Sequence, residues 1–252
     1  MRLAAVKYHN TLPLLHGIRQ SSLRDEAEVI LDHPANCAVM LREGLVDIAL
    51  CPVGALVDTD DYHILTDYGI CCDGPVRTVA VYSHVPLDKL ERIVLTRASR
   101  TSNLLVQILE HHHWQLGLDF IPEGEPPVTD NRTGHLHIGD VCFQKEKEYP
   151  CITDLGESWK QYTGLPFVFA CWVALRPVDP DFVARLNGAF AQGVDDIERL
   201  VGTNANGIDL NDYLRRNIQF KLDNTKRKAM QLFLNAAQKL VTLPSYAIQD
   251  TR

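Results

Sequence analysis

Three short apolar runs near the start of the chain predict β-strands, and helical segments separate them. The runs are Leu3 to Tyr8, Ala27 to Leu31 and Val46 to Cys51. Pro13 suits the first turn of the first helix, where its missing N–H costs nothing, and Gly44 suits the position just after the second. A β-α-β-α-β series of this kind is typical of a parallel sheet covered by helices.

The middle of the chain continues with strands and helices, whereas its end is helical. Further strands are predicted at Val76 to Tyr82, Ile93 to Thr96, Leu136 to Phe143 and Phe167 to Leu175. A helix beginning near Ser102 has one apolar face, made by Leu104, Leu105, Ile108 and Leu109. From Asp179 onward the pattern predicts only helices, the last from Asp223 to about Leu243.

These blocks together predict an α/β protein of two lobes. The middle block has enough strands for a small sheet of its own, so the final helices must pack back onto the first block. We therefore expect residues 1–83 with 169–252 to form one discontinuous lobe and residues 84–168 to form a second, smaller one. Two segments cross between the lobes, and a ligand is expected in the cleft between them.

Composition and charge narrow the classes of partner. The chain is 46% hydrophobic and 23% charged, as is usual for a globular protein. Its 25 Lys and Arg against 32 Asp and Glu give a net charge of −7, which argues against nucleic acid or an anionic membrane as partner. The longest apolar run, Phe167 to Leu175, is far shorter than the ~20 residues of a membrane span. The N-terminus lacks a signal-peptide pattern, so we expect a cytoplasmic protein.

The sequence predicts neither a metal nor a cofactor. Its seven cysteines are odd in number and form no C-x-x-C pair, which argues against a disulfide framework or a zinc ribbon. Residues 111–113 are three consecutive histidines. The side chains of consecutive helical residues point too far apart to chelate one ion. His135 and His137 share one face of a strand without a nearby third ligand. Motifs for nucleotide binding and for a nucleophilic serine are missing.

The residues Ser99, Arg100, Thr101 and Ser102 follow a predicted strand and begin a helix. Free backbone N–H groups and the positive end of the helix dipole make such a start suitable for a carboxylate or phosphate. Simple capping needs only one hydroxyl side chain. Three hydroxyls and an arginine therefore favour an anion-binding site.

Two further segments carry candidate ligand contacts. His9 and Asn10 follow the first strand, and ligands of α/β sheets bind at the carboxyl ends of strands. Asn10 has an amide donor and acceptor, and His9 is titratable, although Asn10 also suits a turn or a helix cap. In a strand starting at Val76, the side chains of Arg77 and Thr78 point to opposite faces. Either residue is therefore a candidate contact for a ligand carboxylate. The alternative for Arg77 is a side chain exposed to solvent without a ligand.

Six stretches of the chain resemble the chorismate dehydratase family of the futalosine route to menaquinone. They occur in the family's order over residues 1 to about 172 and are Tyr8-His9-Asn10-Thr11-Leu12-Pro13, the run from Gly44 to Val53, Gly74-Pro75-Val76-Arg77-Thr78-Val79, Ser99-Arg100-Thr101-Ser102, Ile138-Gly139-Asp140 and the run from Thr163 to Trp172. The resemblance implies the two-lobed fold of type II periplasmic binding proteins. It also implies dehydration of chorismate, a small dianion, to 3-[(1-carboxyvinyl)oxy]benzoate without a cofactor.

The resemblance assigns roles to individual residues. Asn10 matches the asparagine that the family links to catalysis. The resemblance implies substrate contacts for Thr78 and for the loop of Ser99, Arg100, Thr101 and Ser102. The further candidate substrate contacts are His9, Arg77, Gly139 and Asp140, and whether His9 takes part is left open. Thr78 stands where the family usually has serine, and His9 stands where it usually has a hydrophobic or aromatic residue.

Two questions stay open at the level of sequence. The proton acceptor is either His9 or the substrate's own side-chain carboxylate, and the resemblance favours the latter. The alternative functions are 1,4-dihydroxy-6-naphthoate synthase, an enzyme of the same route and fold that uses a histidine base in its second lobe, and a solute-binding protein without catalysis. The sequence does not predict an oligomeric state.

Overall fold

Two β-sheets organise the chain. The structure is a computed structural model that describes residues 1–59, 61–124, 130–201 and 208–242. Its strands are β1 (Arg2–Val6), β2 (Glu28–Asp32), β3 (Ile48–Pro52), β4 (His63–Cys72), β5 (Val79–Ser83), β6 (Arg92–Val94), β7 (Asp119–Ile121), β8 (Thr133–Ile138), β9 (Cys151–Asp154), β10 (Phe167–Ala174) and β11 (Gln219–Lys221). Its α-helices are α1 (Leu12–Gln20), α2 (Pro34–Arg42), α3 (Arg100–Leu109), α4 (Cys142–Glu148), α5 (Leu155–Thr163), α6 (Pro180–Asp195), α7 (Ile197–Val201), α8 (Leu210–Asp212) and α9 (Asn224–Val241).

The first sheet has the strand order β2-β1-β3-β10-β4-β11. Strand β1 runs parallel to β2 and β3, which confirms the predicted β-α-β-α-β unit. Strand β10 is antiparallel to β3 and β4 and is buried over its whole length, as its continuous apolar sequence predicts. The carboxyl ends of β1 and β3 therefore lie at the same edge of this sheet.

The second sheet has the strand order β7-β6-β8-β5-β9 and comes from the middle of the chain. Strand β6 is parallel to β7 and β8, and β5 is antiparallel to β8 and β9. The division into residues 1–83 with 169–252 and residues 84–168 stays a prediction. Strand β5 lies within the range expected for the first lobe, but it forms its hydrogen bonds in the second sheet.

Two chain segments connect the sheets, and one half-buried carboxylate holds them together. The chain leaves β4 for β5 through residues 73–78 and returns from β9 to β10 through α5. The Asp154 carboxylate accepts hydrogen bonds from the backbone N–H groups of Val76 at 3.1 Å and Arg77 at 2.6 Å. It also caps α5 by accepting from the Glu157 N–H at 3.0 Å. Burial raises the pKa of Asp154, and these N–H donors oppose the rise.

Three predictions about secondary structure are wrong. The tail contains the strand β11 as well as helices, because residues 219–221 pair with the edge of β4. The strand predicted from Val76 begins at Val79, because Arg77 has a φ of +67°. The strand predicted from Leu136 to Phe143 ends at Ile138, where Gly139 with a φ of +75° turns the chain into a helix. The expected end of the last helix near Leu243 lies outside the described residues.

The late helices pack back onto the first sheet, as predicted. Helix α6 contacts α1 and β4, and α9 contacts β10. Trp172 of β10 stacks on Phe190 of α6 with 5.0 Å between ring centroids, and both rings are buried. Within the described ranges, no helix is long and apolar enough to cross a membrane.

The crossing of α1 and α6 requires a glycine. A Cβ at Gly193 would collide with the Pro13 carbonyl oxygen, whereas a Cβ at the exposed Gly188 of the same helix would meet nothing within 4 Å. We expect Gly193→Ala to lower the free energy of unfolding by about 1–3 kcal/mol, as in other overpacked cores. Gly188→Ala is expected to raise it by about 0.5–1 kcal/mol, because alanine is the better helix former. Urea denaturation measures both, and equal effects of the two substitutions would contradict this packing.

Candidate active site

A cavity that is partly open to solvent lies between the two sheets. We call it the central cavity. Its wall comes from both sheets and from the segments that connect them. The lining residues are Val6, Tyr8, Asn10, Pro34, Pro52, Ile70, Val76, Thr78, Val79, Ser99, Ser102, Ile138, Gly139, Phe169 and Ala170. A mostly apolar wall with a few converging polar groups is typical of small-molecule sites.

Asn10 reaches the central cavity from the end of β1. It lies in a short 3-10 turn, His9–Thr11, that connects β1 to α1. The Asn10 Oδ1 atom accepts a hydrogen bond from Thr11 Oγ1 at 3.3 Å. Fixing Oδ1 in this way leaves the Asn10 amide N–H groups available as donors.

Thr78 reaches the central cavity because of the backbone turn at Arg77. The Asp154 carboxylate holds this turn and so places Thr78 against the cavity, where it is 1% exposed. The Arg77 side chain takes another direction. Its guanidinium makes two hydrogen bonds to the Glu146 carboxylate, at 2.7 and 2.9 Å, and lies over the Phe143 ring. Of this predicted pair, Thr78 lines the cavity and Arg77 does not.

Ser99 and Ser102 bring the start of α3 to the central cavity. Ser99 caps the helix by accepting a hydrogen bond from the Ser102 N–H at 3.2 Å, and its Oγ also accepts from Ser102 Oγ at 3.1 Å. Residues three apart lie on the same face of a helix, so both hydroxyls face the same way. The sequence analysis predicted the cap, and both hydroxyls lie where an anion at this helix start would bind.

Arg100 and Thr101 have other partners. Arg100 forms an ion pair with Asp58. Thr101 Oγ1 accepts a hydrogen bond from the Gly54 N–H at 2.8 Å, and a Cβ at Gly54 would lie 2.7 Å from the Thr101 Cα. These contacts join the start of α3 to the segment that follows β3, so Arg100 and Thr101 position this helix start beside the first sheet. Their predicted substrate contacts stay predictions.

His9 and Asp140 pair beside the central cavity. The Asp140 carboxylate accepts from the His9 N–H at 3.2 Å, and its Oδ2 lies 2.8 Å from His9 Nδ1. The pair therefore links the end of β1 to the end of β8. Gly139 lines the cavity, and a Cβ there would lie 2.6 Å from the Tyr8 ring, so glycine lets this ring approach. The roles of all three predicted residues in substrate binding stay predictions.

A second, more open cleft shares Tyr8 with the central cavity, and we call it the side cleft. Tyr8 and Ile138 line both spaces. The lining of the side cleft includes charged residues of both signs, namely Lys7, Arg97, Glu123 and Asp140. By contrast, the described residues that line the central cavity include no charged side chain. Neutral donors must therefore hold any anion in the central cavity.

Sequence analysis missed two tyrosines of this site. Tyr8 lines the central cavity, and burial, followed by the charge of Asp140, raises its pKa to about 12, so its hydroxyl stays protonated. Tyr213 lies behind the cavity with its hydroxyl 2.8 Å from Thr78 Oγ1. Tyr8 is the first residue of a recognised motif and could have been proposed from the sequence, whereas no local pattern marks Tyr213.

The histidines considered as metal ligands lie against other aromatic rings. The described part of the chain contains no group of three or more His, Cys, Asp or Glu residues able to hold a metal ion. The rings of His135 and His137 stack on β8 with 6.3 Å between centroids. His113 lies in the turn after α3, 5.6 Å from the Tyr162 ring.

The half-buried ring of His137 makes a pH dependence of stability measurable. Burial, followed by the charge of Lys145, lowers the pKa of His137 from 6.5 to about 4. Between these values the unfolded chain binds a proton that the folded protein does not bind. The stabilisation is therefore fully present above pH 6.5 and is lost as pH falls toward 4.

As pH falls toward 4, we expect His137→Gln to lose about 1–2 kcal/mol less of its free energy of unfolding than the wild type loses. The effect is smaller than for a fully buried ring, because the side chain is partly exposed. Urea denaturation at several pH values measures the effect. The same substitution at the exposed His63 is the control. An unchanged pH dependence in His137→Gln would contradict the assignment.

Comparisons with known proteins identify the family and the fold. A family model described as menaquinone biosynthesis matches residues 1–239. Chorismate dehydratase of Thermus thermophilus is 26% identical over 258 residues, covering 93% of this chain and 94% of that protein. A structural-genomics protein from Archaeoglobus fulgidus superposes with a TM-score of 0.74 at 13% identity, covering 96% of this chain and 98% of that one. A Candida albicans protein described as having the generic periplasmic binding protein fold gives a TM-score of 0.62 at 15% identity, covering 94% and 89%.

The structural likenesses confirm the predicted fold, which is the α/β fold of periplasmic binding proteins. The Thermus relative confirms the predicted resemblance to chorismate dehydratases. Because the family model matches nearly the whole sequence, the chain belongs to the menaquinone biosynthesis family.

Proposed function

We propose that this protein is a chorismate dehydratase, a carbon–oxygen lyase that converts chorismate to 3-[(1-carboxyvinyl)oxy]benzoate and water and acts in the cytoplasm. The observation that carries the proposal is the likeness to a chorismate dehydratase over 93% of this chain and 94% of the relative. The central cavity supports it, because its polar groups are neutral hydrogen-bond donors suited to a small dianion.

The reaction removes a proton from C3 of the ring and the hydroxyl group from C4. The ring becomes aromatic, so the overall change is favourable without any redox step. The difficult step is removal of the C3 proton. The C3–H bond lies next to a double bond that is conjugated with the ring carboxylate. Negative charge therefore grows on this carboxylate as the C–H bond breaks. Preorganised donors around it would stabilise that charge, and losing one such donor typically costs about 10²–10³ in rate.

The start of α3 is the proposed site for one substrate carboxylate. The Ser99 and Ser102 hydroxyls line the cavity together with the N-terminal end of this helix. Its unpaired N–H groups and helix dipole favour a negative charge. The other end of the substrate would lie toward Asn10, at the end of β1. There an Asn10 amide N–H can donate to the C4 hydroxyl oxygen as the C4–O bond breaks. The departing hydroxyl takes up the proton removed from C3 and becomes water.

The substrate's own side-chain carboxylate is the proposed proton acceptor. Among the described residues, none that lines the central cavity carries a carboxylate or an imidazole. The His9 imidazole lies beside the cavity, with Nδ1 against Asp140. An internal acceptor held close to C3 gains from proximity, because no second group has to be brought to the proton.

Each alternative function has an observation in its favour. The fold is shared with periplasmic binding proteins, which supports a solute-binding role without catalysis. A 1,4-dihydroxy-6-naphthoate synthase needs a histidine base, and His137 is neutral at pH 7 because burial lowers its pKa to about 4. His137 lines the side cleft, however, and the relative over the full chain is a chorismate dehydratase.

Incubation of the purified protein with chorismate tests the proposal. We expect a product lighter than chorismate by one water, with the ultraviolet absorbance of a substituted benzoate, followed by mass spectrometry and absorbance. Chorismate without protein is the control. Saturable binding of chorismate without this product would favour the solute-binding role, and absence of both would refute the proposal.

A further inference from the structure

Tyr213 is buried directly behind the polar side of the central cavity. It begins a short π-helical turn, Tyr213–Asn217, in the C-terminal part of the chain, where the sequence analysis found no motif. Its side chain is 0% exposed. The Phe143 ring packs edge-on against the Tyr213 ring with 5.1 Å between centroids and an angle of 89°. This packing fixes the direction in which the Tyr213 hydroxyl points.

The Tyr213 hydroxyl contacts one residue of the proposed site and lies near a second. It lies 2.8 Å from Thr78 Oγ1, and the Asn10 side chain is near enough to lower the pKa of Tyr213 against the larger effect of burial. Both Asn10 and Thr78 line the central cavity, whereas Tyr213 is not part of the lining. The hydroxyl therefore links a residue at the end of β1 to a residue in the segment that leads into β5.

The direction of the hydrogen bonds around Tyr213 depends on Asn10. Because Thr11 Oγ1 donates to Asn10 Oδ1, an Asn10 N–H is the group available to the Tyr213 oxygen. The phenol proton is then free to be donated to Thr78 Oγ1. Burial raises the pKa of Tyr213, so this proton stays in place at neutral pH. In this arrangement a second Asn10 N–H remains available to a ligand. The Thr78 hydroxyl proton has only a long contact of 3.5 Å to the Val76 carbonyl oxygen, so it can turn to a ligand.

We propose that Tyr213 is a positioning residue that holds Asn10 and Thr78 in the orientation in which they donate to the substrate. This inference rests on the proposed function for its effect on catalysis, but the positioning itself does not depend on the identity of the substrate. Without the phenol, the Asn10 amide is held only through its oxygen by Thr11, and the buried Thr78 hydroxyl keeps only its 3.5 Å contact with the Val76 carbonyl oxygen.

Tyr213→Phe tests the proposal, because it removes one oxygen atom and keeps the ring packing. We expect kcat for chorismate to fall about 10- to 100-fold, as for a small misplacement of a reacting group, with KM changed much less. The matched control is Tyr82→Phe. Tyr82 is also 0% exposed and donates its hydroxyl to the Cys142 carbonyl oxygen at 3.3 Å, outside the central cavity. Tyr82→Phe is expected to leave kcat unchanged.

A double variant separates positioning from a general loss of stability. Thr78→Val already breaks the contact between Thr78 and Tyr213. Adding Tyr213→Phe to it should therefore lower kcat by less than Tyr213→Phe does alone. Fully additive effects on kcat, or equal losses in Tyr213→Phe and Tyr82→Phe, would overturn the proposal.

The NMR signal of the Asn10 side-chain amide tests positioning without any turnover. Its assignment follows from its loss in Asn10→Ala. We expect it to shift in Tyr213→Phe and to stay in place in Tyr82→Phe. An unmoved signal would overturn the inference even if the enzyme is active. A shifted signal in a protein that does not convert chorismate would refute the proposed function and support the positioning role.

Discussion

Replacing Asn10 by alanine is expected to lower kcat/KM for chorismate by about 100- to 1,000-fold, the usual cost of losing one preorganised donor. Asn10 is a polar group at the end of β1, and Thr11 holds its amide oxygen. Alanine removes the donor to the departing hydroxyl. The initial rate of product formation at several chorismate concentrations measures the loss.

Two controls accompany this variant. Asn10 is only half-buried, so thermal unfolding should show a fold as stable as the wild type within about 1 kcal/mol. Asn187→Ala removes another amide side chain, one that accepts from the Asp67 N–H at 2.9 Å and lies outside the cavity lining. It should keep full activity. Turnover by Asn10→Ala close to that of the wild type would exclude Asn10 from catalysis.

Replacing Ser102 by alanine is expected to raise KM for chorismate by about 10- to 100-fold, which corresponds to the ~1.5–3 kcal/mol of a hydrogen bond to a charged group. Ser102 is 1% exposed, and its hydroxyl lies 3.1 Å from that of Ser99 at the proposed carboxylate site. The helix cap survives, because its acceptor is the Ser99 oxygen and its donor is the Ser102 backbone. Binding should weaken while the fold stays stable.

Ser158→Ala is the matched control for Ser102→Ala. Ser158 is also a buried helical serine, and its hydroxyl donates to the Asp154 carbonyl oxygen at 2.8 Å. Its loss should leave KM unchanged. A KM for Ser102→Ala equal to that of the wild type would mean that the start of α3 does not bind the substrate.

Local patterns predict much of this fold because several elements carry their own physical signals. The parallel unit of β1, β2 and β3 follows from apolar runs separated by helical segments, and the cap at Ser99 follows from hydroxyl side chains before an apolar face. The strand β11 could not be predicted in this way. It has three residues, and it forms only because the edge of β4 offers backbone hydrogen-bonding groups.

The candidate site is predictable only in part, because several of its contacts join distant residues. Asn10, Thr78, Ser99 and Ser102 line one cavity, as expected for a shared site. The direction of the Arg77 side chain depends on Glu146, 69 residues away, and on a positive φ that no strand pattern indicates. The contact of Tyr213 with Thr78 spans 135 residues and needs the folded tail.

A crystal structure of the Asn10→Ala variant with chorismate tests whether neutral donors between the two sheets bind a dianionic ring acid. We expect the ring in the central cavity, with one carboxylate within hydrogen-bond distance of Ser99, Ser102 or the first N–H groups of α3. Chorismate bound in the side cleft against Lys7 or Arg97, with the central cavity free of ligand, would refute this binding site.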